Sequence, residues 1–134
     1  MGDPAITFIV IDDSKLDAFI AMKLIRQHNE RNEIHIFNLA ADALEHIRHN
    51  DHENSRTIVF VDIRMPILNG FEFIEIFEQL PYERRKGYEV HILSSSVNDN
   101  DYQKAMTYQS VKSFIVKPFT ARTIQALVDN NIEG

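Results

Sequence analysis

The feature that most constrains the fold is a regular alternation of short apolar runs with segments of helical periodicity. The run at residues 6–11 is continuous and rich in β-branched side chains, which is typical of a strand buried on both faces. After it, apolar residues recur at helical spacing over residues 15–28. Four more strand–helix pairs follow, with strands predicted at 33–37, 57–61, 88–93 and 111–116 and helices at 40–49, 71–80, 99–108 and 120–130.

Short strands joined by helices imply parallel strand–helix–strand units, right-handed crossovers and a sheet covered by helices on both faces. We therefore predict a doubly wound α/β fold with five strands and five helices. The 134 residues suit one domain with its own core, and no linker interrupts the pattern, so residues 1–134 are assigned to a single domain. The segment 81–87 is predicted to be a charged loop.

Composition excludes several classes of function. The chain has 14 Lys and Arg against 20 Asp and Glu, and this net charge of −6 disfavours direct nucleic-acid binding. It has no cysteine, which excludes disulfides, thiolate metal sites and Cys nucleophiles. No apolar run approaches the roughly 20 residues of a membrane span, and no signal peptide is visible. We expect a cytoplasmic protein with no membrane partner.

The candidate site consists of the residues just after each predicted strand, because open parallel sheets bind ligands beyond the carboxyl ends of their strands. Asp12 and Asp13 follow the first strand, and Asp62 follows the third. Ser94 follows the fourth strand and Lys117 the fifth. Each of them alone would be an ordinary surface residue or helix cap. Their delivery to one edge by four strands indicates a functional site.

The types of residue in this set indicate its chemistry. Three clustered carboxylates repel one another and favour a hard divalent cation, so Mg²⁺ or Mn²⁺ is expected rather than zinc. A carboxylate beside such a cation can attack phosphorus and form an acyl phosphate. The Lys117 ammonium can offset charge on phosphoryl oxygens, and the Ser94 hydroxyl can donate a hydrogen bond to one of them.

Four segments resemble the receiver domains of response regulators in two-component signalling. They are FIVIDDS (8–14), VFVDIRMPILNGFEF (59–73), HILSSS (91–96) and SFIVKPF (113–119), and the resemblance extends over essentially the full chain. The resemblance implies a flavodoxin-like fold with strand order 2-1-3-4-5. It also implies that Asp62 is the phospho-acceptor, that Asp12 and Asp13 hold Mg²⁺, and that the backbone carbonyl of Arg64 completes the protein ligands.

The resemblance also implies roles for residues of the fourth and fifth strands. Lys117 matches the family lysine, which is followed by a usually cis bond to Pro118. Ser94 stands where the family has a Thr or Ser that follows the phosphoryl group, although a shift of one residue would select Ser95. Phe114 stands at the position of the aromatic switch residue, where Tyr is commoner.

The function implied is a stand-alone phosphorylatable receiver domain. A histidine kinase or a histidine phosphotransfer protein would donate the phosphoryl group, and the domain would be a switch with weak self-phosphorylation and self-hydrolysis rather than an enzyme. Output would pass through a protein contact, or the chain would be a piece of a longer regulator. The expected output face comprises Tyr102, Met106, Tyr108, Phe114 and Arg122.

Two other classes of protein compete with this interpretation. Phosphohydrolases of the haloacid dehalogenase type also place an aspartate after a strand, but they need a second acid two residues later, where this chain has Arg64. A degenerate receiver that acts only as a binding module is the second alternative. Such domains usually lose an acid or the lysine, and this sequence retains all of them.

Overall fold

The computed structural model describes residues 5–50, 56–96, 98–118 and 120–129. In these ranges five parallel strands form one sheet in the order β2-β1-β3-β4-β5, which confirms the expected topology. The strands are β1 (Thr7–Ile11), β2 (Glu33–Phe37), β3 (Thr57–Asp62), β4 (Tyr88–Ser94) and β5 (Val111–Val116). The helices are α1 (Lys15–His28), α2 (Ala40–His49), α3 (Gly70–Phe77), α4 (Tyr82–Arg85), α5 (Asp99–Ala105) and α6 (Ala121–Val128).

Two hydrophobic clusters lie on opposite faces of this sheet. Helices α2, α3 and α5 bury their apolar residues against one face, and α1 and α6 bury theirs against the other. The inner strands β1, β3 and β4 are buried almost throughout, which explains their continuous apolar runs, while β2 and β5 form the partly exposed edges. None of the helices in the described ranges is long and apolar enough to cross a membrane.

Side-chain caps fix where two helices begin beside the carboxyl edge of the sheet. At α1, the Ser14 hydroxyl accepts a hydrogen bond from the backbone N–H of Asp17 at 3.2 Å. At α3, Asn69 and Glu72 exchange two side-chain-to-backbone hydrogen bonds, each of 2.9 Å, as a capping box. The chain therefore leaves β1 and β3 and enters a helix at defined positions.

The structure differs from the sequence-based prediction in the number and length of the helices. Residues 81–87 are not only a loop, because they contain the one-turn helix α4, so the described part of the chain has six helices where five were predicted. Helix α3 ends at Phe77 and α5 at Ala105, each about one turn earlier than predicted, because their final turns tighten into hydrogen bonds between residues three apart. The predicted end of the last helix, at residue 130, lies outside the described residues.

Candidate functional site

Three strands deliver their polar ends to one edge of the sheet. Asp12 directly follows β1, and its N–H donates to the carbonyl of Phe37 at 3.0 Å, which continues the β1–β2 pairing. Asp62 is the last residue of β3 and pairs with Leu93 of β4. Lys117 directly follows β5 and donates its N–H to the Ser94 carbonyl at 2.7 Å. Backbone pairing thus holds these three side chains in a fixed relation.

The ammonium group of Lys117 is the centre of this site. Its Nζ lies 2.7 Å from Asp12 Oδ2, 2.8 Å from Asp62 Oδ2 and 2.9 Å from Asp17 Oδ2. Burial by itself would lower the pKa of Lys117, but the hydrogen bonds to the three carboxylates outweigh it and hold that pKa above its usual range. The lysine is therefore charged at any physiological pH.

The acids beside Lys117 differ in accessibility. The side chain of Asp12 is 1% exposed, whereas that of Asp62 is 11% exposed. Burial raises the pKa of Asp12 above its ordinary value, against the opposing hydrogen bonds from Lys117 and from the Ser14 backbone. Both oxygens of Asp12 are engaged, since Oδ1 accepts the Ser14 N–H at 2.9 Å. Asp62 is thus the more accessible of the two buried carboxylates.

The structure also brings together the acids that the sequence assigned to a metal ion. Asp12, Asp13 and Asp62 each offer a carboxylate oxygen, and these oxygens lie within 4.8 Å of one another. Asp13 is exposed, whereas the other two are buried. An all-oxygen, acidic donor set of this size fits a hard divalent cation such as Mg²⁺ or Mn²⁺.

The loop between β3 and α3 closes over Asp62. The backbone N–H of Arg64 donates to Asp62 Oδ1 at 3.2 Å, and the Arg64 side chain forms an ion pair of 3.3 Å with Asp101 of α5. Gly70 begins α3 where a Cβ atom would lie only 2.5 Å from the carbonyl oxygen of Asp62, so a side chain there would displace the backbone. Ile67 has a φ of 73°, a strained value for a β-branched residue.

The serines after β4 occupy different environments. Ser94 is buried, and its hydroxyl donates to the Ser96 carbonyl at 2.7 Å. Ser95 is exposed and lines a cavity of about 240 Å³ together with Asp12, Asp17 and Lys117. The structure therefore places both candidate hydroxyls at the carboxyl edge of the sheet. The bond between Lys117 and Pro118 is cis, as the resemblance implied.

The expected output face is distributed over α5, the residues after it, β5 and α6. Tyr102 and Met106 are exposed, and the ring of Tyr102 meets that of Phe114 edge to face at a centroid distance of 5.6 Å. Phe114 is half-buried and packs against the α2–α3–α5 core. Tyr108 instead lies against α3, since its hydroxyl donates to Glu75. Arg122 is exposed on α6.

Asp17 is the member of the site that the sequence reasoning missed. It lies in the first turn of α1 and not at a strand end, so the search of strand ends passed over it. A signal was present, because Ser14 is a helix cap and the residue three positions after a cap faces back toward the strand end.

The comparisons with known proteins agree with this geometry. The family model described as the response regulator receiver domain matches residues 8–129. The chain is similar to a response regulator receiver protein from Dyadobacter fermentans, with 28% identity, a TM-score of 0.85 and coverage of 94% of this chain and 97% of that one. It is also similar to a two component response regulator from Cytophaga hutchinsonii, with 26% identity, a TM-score of 0.84 and coverage of 97% and 98%.

A more distant structure shares the fold. The chemotaxis response regulator CheY4 of Vibrio cholerae has 16% identity and a TM-score of 0.76, with coverage of 95% of this chain and 98% of that one. No curated protein matches the sequence significantly. Because the family match spans all five strands and every residue of the acidic site, the chain belongs to the response regulator receiver domains, the signalling switches of two-component systems.

Proposed function

We propose that Asp62 accepts a phosphoryl group, with Mg²⁺ bound, from a phosphohistidine on a histidine kinase or a histidine phosphotransfer protein. The observation that carries this proposal is the position of Asp62, which belongs to the three-acid cluster and also pairs with Lys117. Asp12 shares both properties, but its side chain is only 1% exposed, against 11% for that of Asp62. Asp62 is therefore the better nucleophile.

The chemistry follows from the groups around Asp62. A carboxylate oxygen of Asp62 attacks phosphorus, the bond from phosphorus to the imidazole nitrogen of the donor breaks, and the electron pair of that bond stays on the imidazole. Lys117 gives up its bond to Asp62 and donates to a phosphoryl oxygen. Bound Mg²⁺, held by Asp12, Asp13, Asp62 and the Arg64 carbonyl, would offset phosphoryl charge. Later attack by water on the phosphorus releases phosphate and restores the carboxylate.

The site disfavours the two alternative functions. A haloacid dehalogenase-type hydrolase needs an acid where Arg64 stands, and the guanidinium of Arg64 is paired with Asp101 instead of supplying a general acid or base. A degenerate receiver would lack part of the charged set, yet three acids and the lysine are present within one cluster. A phosphorylatable switch explains the whole set.

An apolar patch beside the site suits the phosphodonor. Leu16, Phe19 and Ile20 are exposed on α1, and Ile20 also lines the cavity that contains Lys117. A donor that brings its phosphohistidine to Asp62 must cover this rim, so the patch favours a protein donor with an apolar contact surface. We expect the reaction in the cytoplasm, where histidine kinases use ATP.

The switch that we propose connects the phosphoryl group to α5. The phosphoryl oxygens add strong acceptors near Ser94, whose hydroxyl can leave the Ser96 carbonyl for one of them. Movement of Ser94 would open space toward Phe114, which packs on Tyr102 of α5. The output face then changes through a packing rearrangement, and its exposed Tyr, Met and Arg side chains suit a protein partner. Net negative charge disfavours a nucleic-acid partner.

Incubation with acetyl phosphate and Mg²⁺, followed by intact-mass spectrometry, tests the acceptor. We expect the mass gain of one phosphoryl group, which Asp62→Asn abolishes and the matched control Asp42→Asn retains. Stoichiometric labelling of Asp62→Asn would contradict the assignment, and steady turnover of aryl phosphates would favour the hydrolase. Amide shifts with a beryllofluoride mimic should extend from Asp62 to Phe114 and α5, and shifts confined to the acidic cluster would contradict the switch.

Comparison of a protein phosphodonor with acetyl phosphate distinguishes a docking role of the apolar patch from a role in the chemical step. Phe19→Ser should slow phosphoryl transfer from a phosphorylated phosphotransfer protein while leaving labelling by acetyl phosphate unchanged. Met106→Ser, which removes an exposed apolar residue at the C-terminal cap of α5, is the control. Equal effects of the two variants on transfer would contradict a donor surface on α1.

A further inference from the structure

We infer that Asp17 is a positioning residue. It holds the Lys117 ammonium beside the acidic cluster while Asp12 binds a cation and Asp62 gives up its hydrogen bond to Lys117. This inference rests on the proposed function and extends it, because it assigns a role to a residue outside both the strand ends and the acidic metal cluster. The role concerns the placement of Lys117 and not contact with the phosphoryl group.

The hydrogen-bond count at Lys117 is the first part of the argument. An ammonium group has three N–H donors, and the three carboxylates at 2.7, 2.8 and 2.9 Å take all of them. A phosphoryl oxygen can therefore gain a hydrogen bond from Lys117 only if one of the present partners gives its bond up.

The three partners differ in what the reaction asks of them. Asp62 loses its negative charge when it becomes an acyl phosphate, so its bond to Lys117 is the one that the phosphoryl oxygen replaces. Asp12 belongs to the acidic cluster and must share its oxygens with a bound cation. Asp17 lies outside that cluster, and neither step draws on its carboxylate. It is the one partner that can keep Lys117 throughout the cycle.

Local hydrogen bonds that do not involve Lys117 set the position of Asp17. Asp12 Oδ1 accepts a hydrogen bond from the Ser14 N–H, and the Ser14 hydroxyl accepts one from the Asp17 N–H. These two side-chain-to-backbone hydrogen bonds connect the first turn of α1 to the end of β1. The cavity of about 240 Å³ beside Asp17 and Lys117 gives the ammonium room to turn toward a phosphoryl oxygen without leaving Asp17.

Three variants separate positioning from a general loss of charge. Asp17→Ala removes the acceptor, Asp17→Asn keeps an acceptor oxygen without the charge, and Asp42→Ala removes an exposed acid from the first turn of α2 as the matched control. With saturating Mg²⁺, we expect Asp17→Ala to lower the maximal rate of labelling by acetyl phosphate about tenfold. The donor concentration at half-maximal rate should change little, Asp17→Asn should recover most of the rate, and Asp42→Ala should match the wild type.

A second measurement does not depend on phosphorylation. In the resting protein, the side-chain ammonium of Lys117 should give a protected proton–nitrogen NMR signal, assigned by its loss in Lys117→Met. This signal should broaden or disappear in Asp17→Ala and persist in Asp42→Ala. An unchanged signal together with an unchanged labelling rate in Asp17→Ala would overturn the inference. If the wild type itself is not labelled, the proposed function fails, and an unchanged ammonium signal would then by itself overturn the role of Asp17.

Discussion

One buried or half-buried ionic cluster lies at the carboxyl ends of the strands, the carboxyl edge, and another lies at their amino ends, the amino edge. The two clusters differ in charge balance. At the carboxyl edge, one ammonium faces the carboxylates of Asp12, Asp17 and Asp62, with Asp13 close by. At the amino edge, Arg56 pairs with Glu89 and also donates to the last carbonyls of α6 at Leu127 and Val128.

The difference separates a cluster that stabilises the fold from one whose acids could bind a divalent cation. The guanidinium of Arg56 donates to the Glu89 carboxylate and to two helix-terminal carbonyls, so an opposite charge and the negative end of a helix dipole offset its charge. The carboxyl edge keeps an excess of negative charge, which costs stability unless a cation joins it. An excess of buried negative charge therefore distinguishes the carboxyl edge from the amino edge.

The largest expected effect comes from removing the Lys117 ammonium from the carboxyl edge. Lys117→Met should lower the free energy of unfolding by about 3 kcal/mol without Mg²⁺, because it leaves buried Asp12 and Asp62 unpaired. Excess Mg²⁺ should recover part of this loss by binding the native acids. Urea unfolding measures both quantities. Lys112→Met, an exposed change on the same strand, is the control, and equal losses in the two variants would contradict the comparison.

The matched cluster at the amino edge should respond differently. Arg56→Met should cost about 2 kcal/mol, because Glu89 loses its partner while remaining about one quarter exposed and the end of α6 loses two hydrogen bonds. Mg²⁺ should not restore any of it. The control is Arg48→Met, whose pair with Glu45 lies on the surface and should contribute under about 0.5 kcal/mol. Recovery by Mg²⁺ would show that the edges are not distinct.

The dependence of stability on pH tests the charge balance of the amino edge through His91. This residue is buried on β4, two residues after Glu89. Burial lowers the pKa of His91 to about 4, with Glu89 opposing and Arg56 and Lys112 assisting. Because the folded pKa lies below the unfolded value of 6.5, the unfolded chain binds the proton first and stability falls as pH drops from about 6.5 toward 4.

The expected loss from His91 between pH 7 and pH 4.5 is about 2 kcal/mol. Urea unfolding at several pH values measures it. His91→Leu provides the reference, since the carboxylates titrate alike in both proteins. A pH dependence of the same size in that variant would exclude His91 as the cause.

The smallest expected effect is a gain in stability. Asp13→Asn removes an exposed like charge from the carboxyl edge and should raise the free energy of unfolding by about 0.5 kcal/mol without Mg²⁺. In excess Mg²⁺ the wild type should become the more stable protein, because it binds the ion more tightly. Thermal unfolding with and without Mg²⁺ measures the reversal. Asp42→Asn, which lies outside the cluster, should show no such reversal.

Much of this arrangement could be predicted because it depends on strand ends. Buried parallel strands have continuous apolar runs, and a run ends where a polar residue must reach solvent, so Asp12, Asp62 and Lys117 were visible as the first polar residues after their strands. Parallel topology then brings those ends to one edge. Local pattern and topology together therefore predicted both the fold and the core of the site.

The rest depends on contacts that no local pattern encodes. The Ser14 cap places Asp17 near the end of β1, but its hydrogen bond to Lys117 joins residues 100 positions apart. Arg56 likewise reaches Glu89 and α6 across more than thirty positions of sequence. The short helix Tyr82–Arg85 has no buried residue, so it shows no apolar periodicity that would predict it. These features come from tertiary packing and from backbone hydrogen bonds alone.

The close approach at Gly70 has a consequence for how this chain can change over generations. Every amino-acid replacement reached by a single base change in a glycine codon introduces a Cβ atom, and at this position that atom would meet the backbone of Asp62 and Ile63. Each such change would move the segment that carries the Asp62 carboxylate. We therefore expect every single-base change of the Gly70 codon that alters the protein to disturb the backbone beside Asp62.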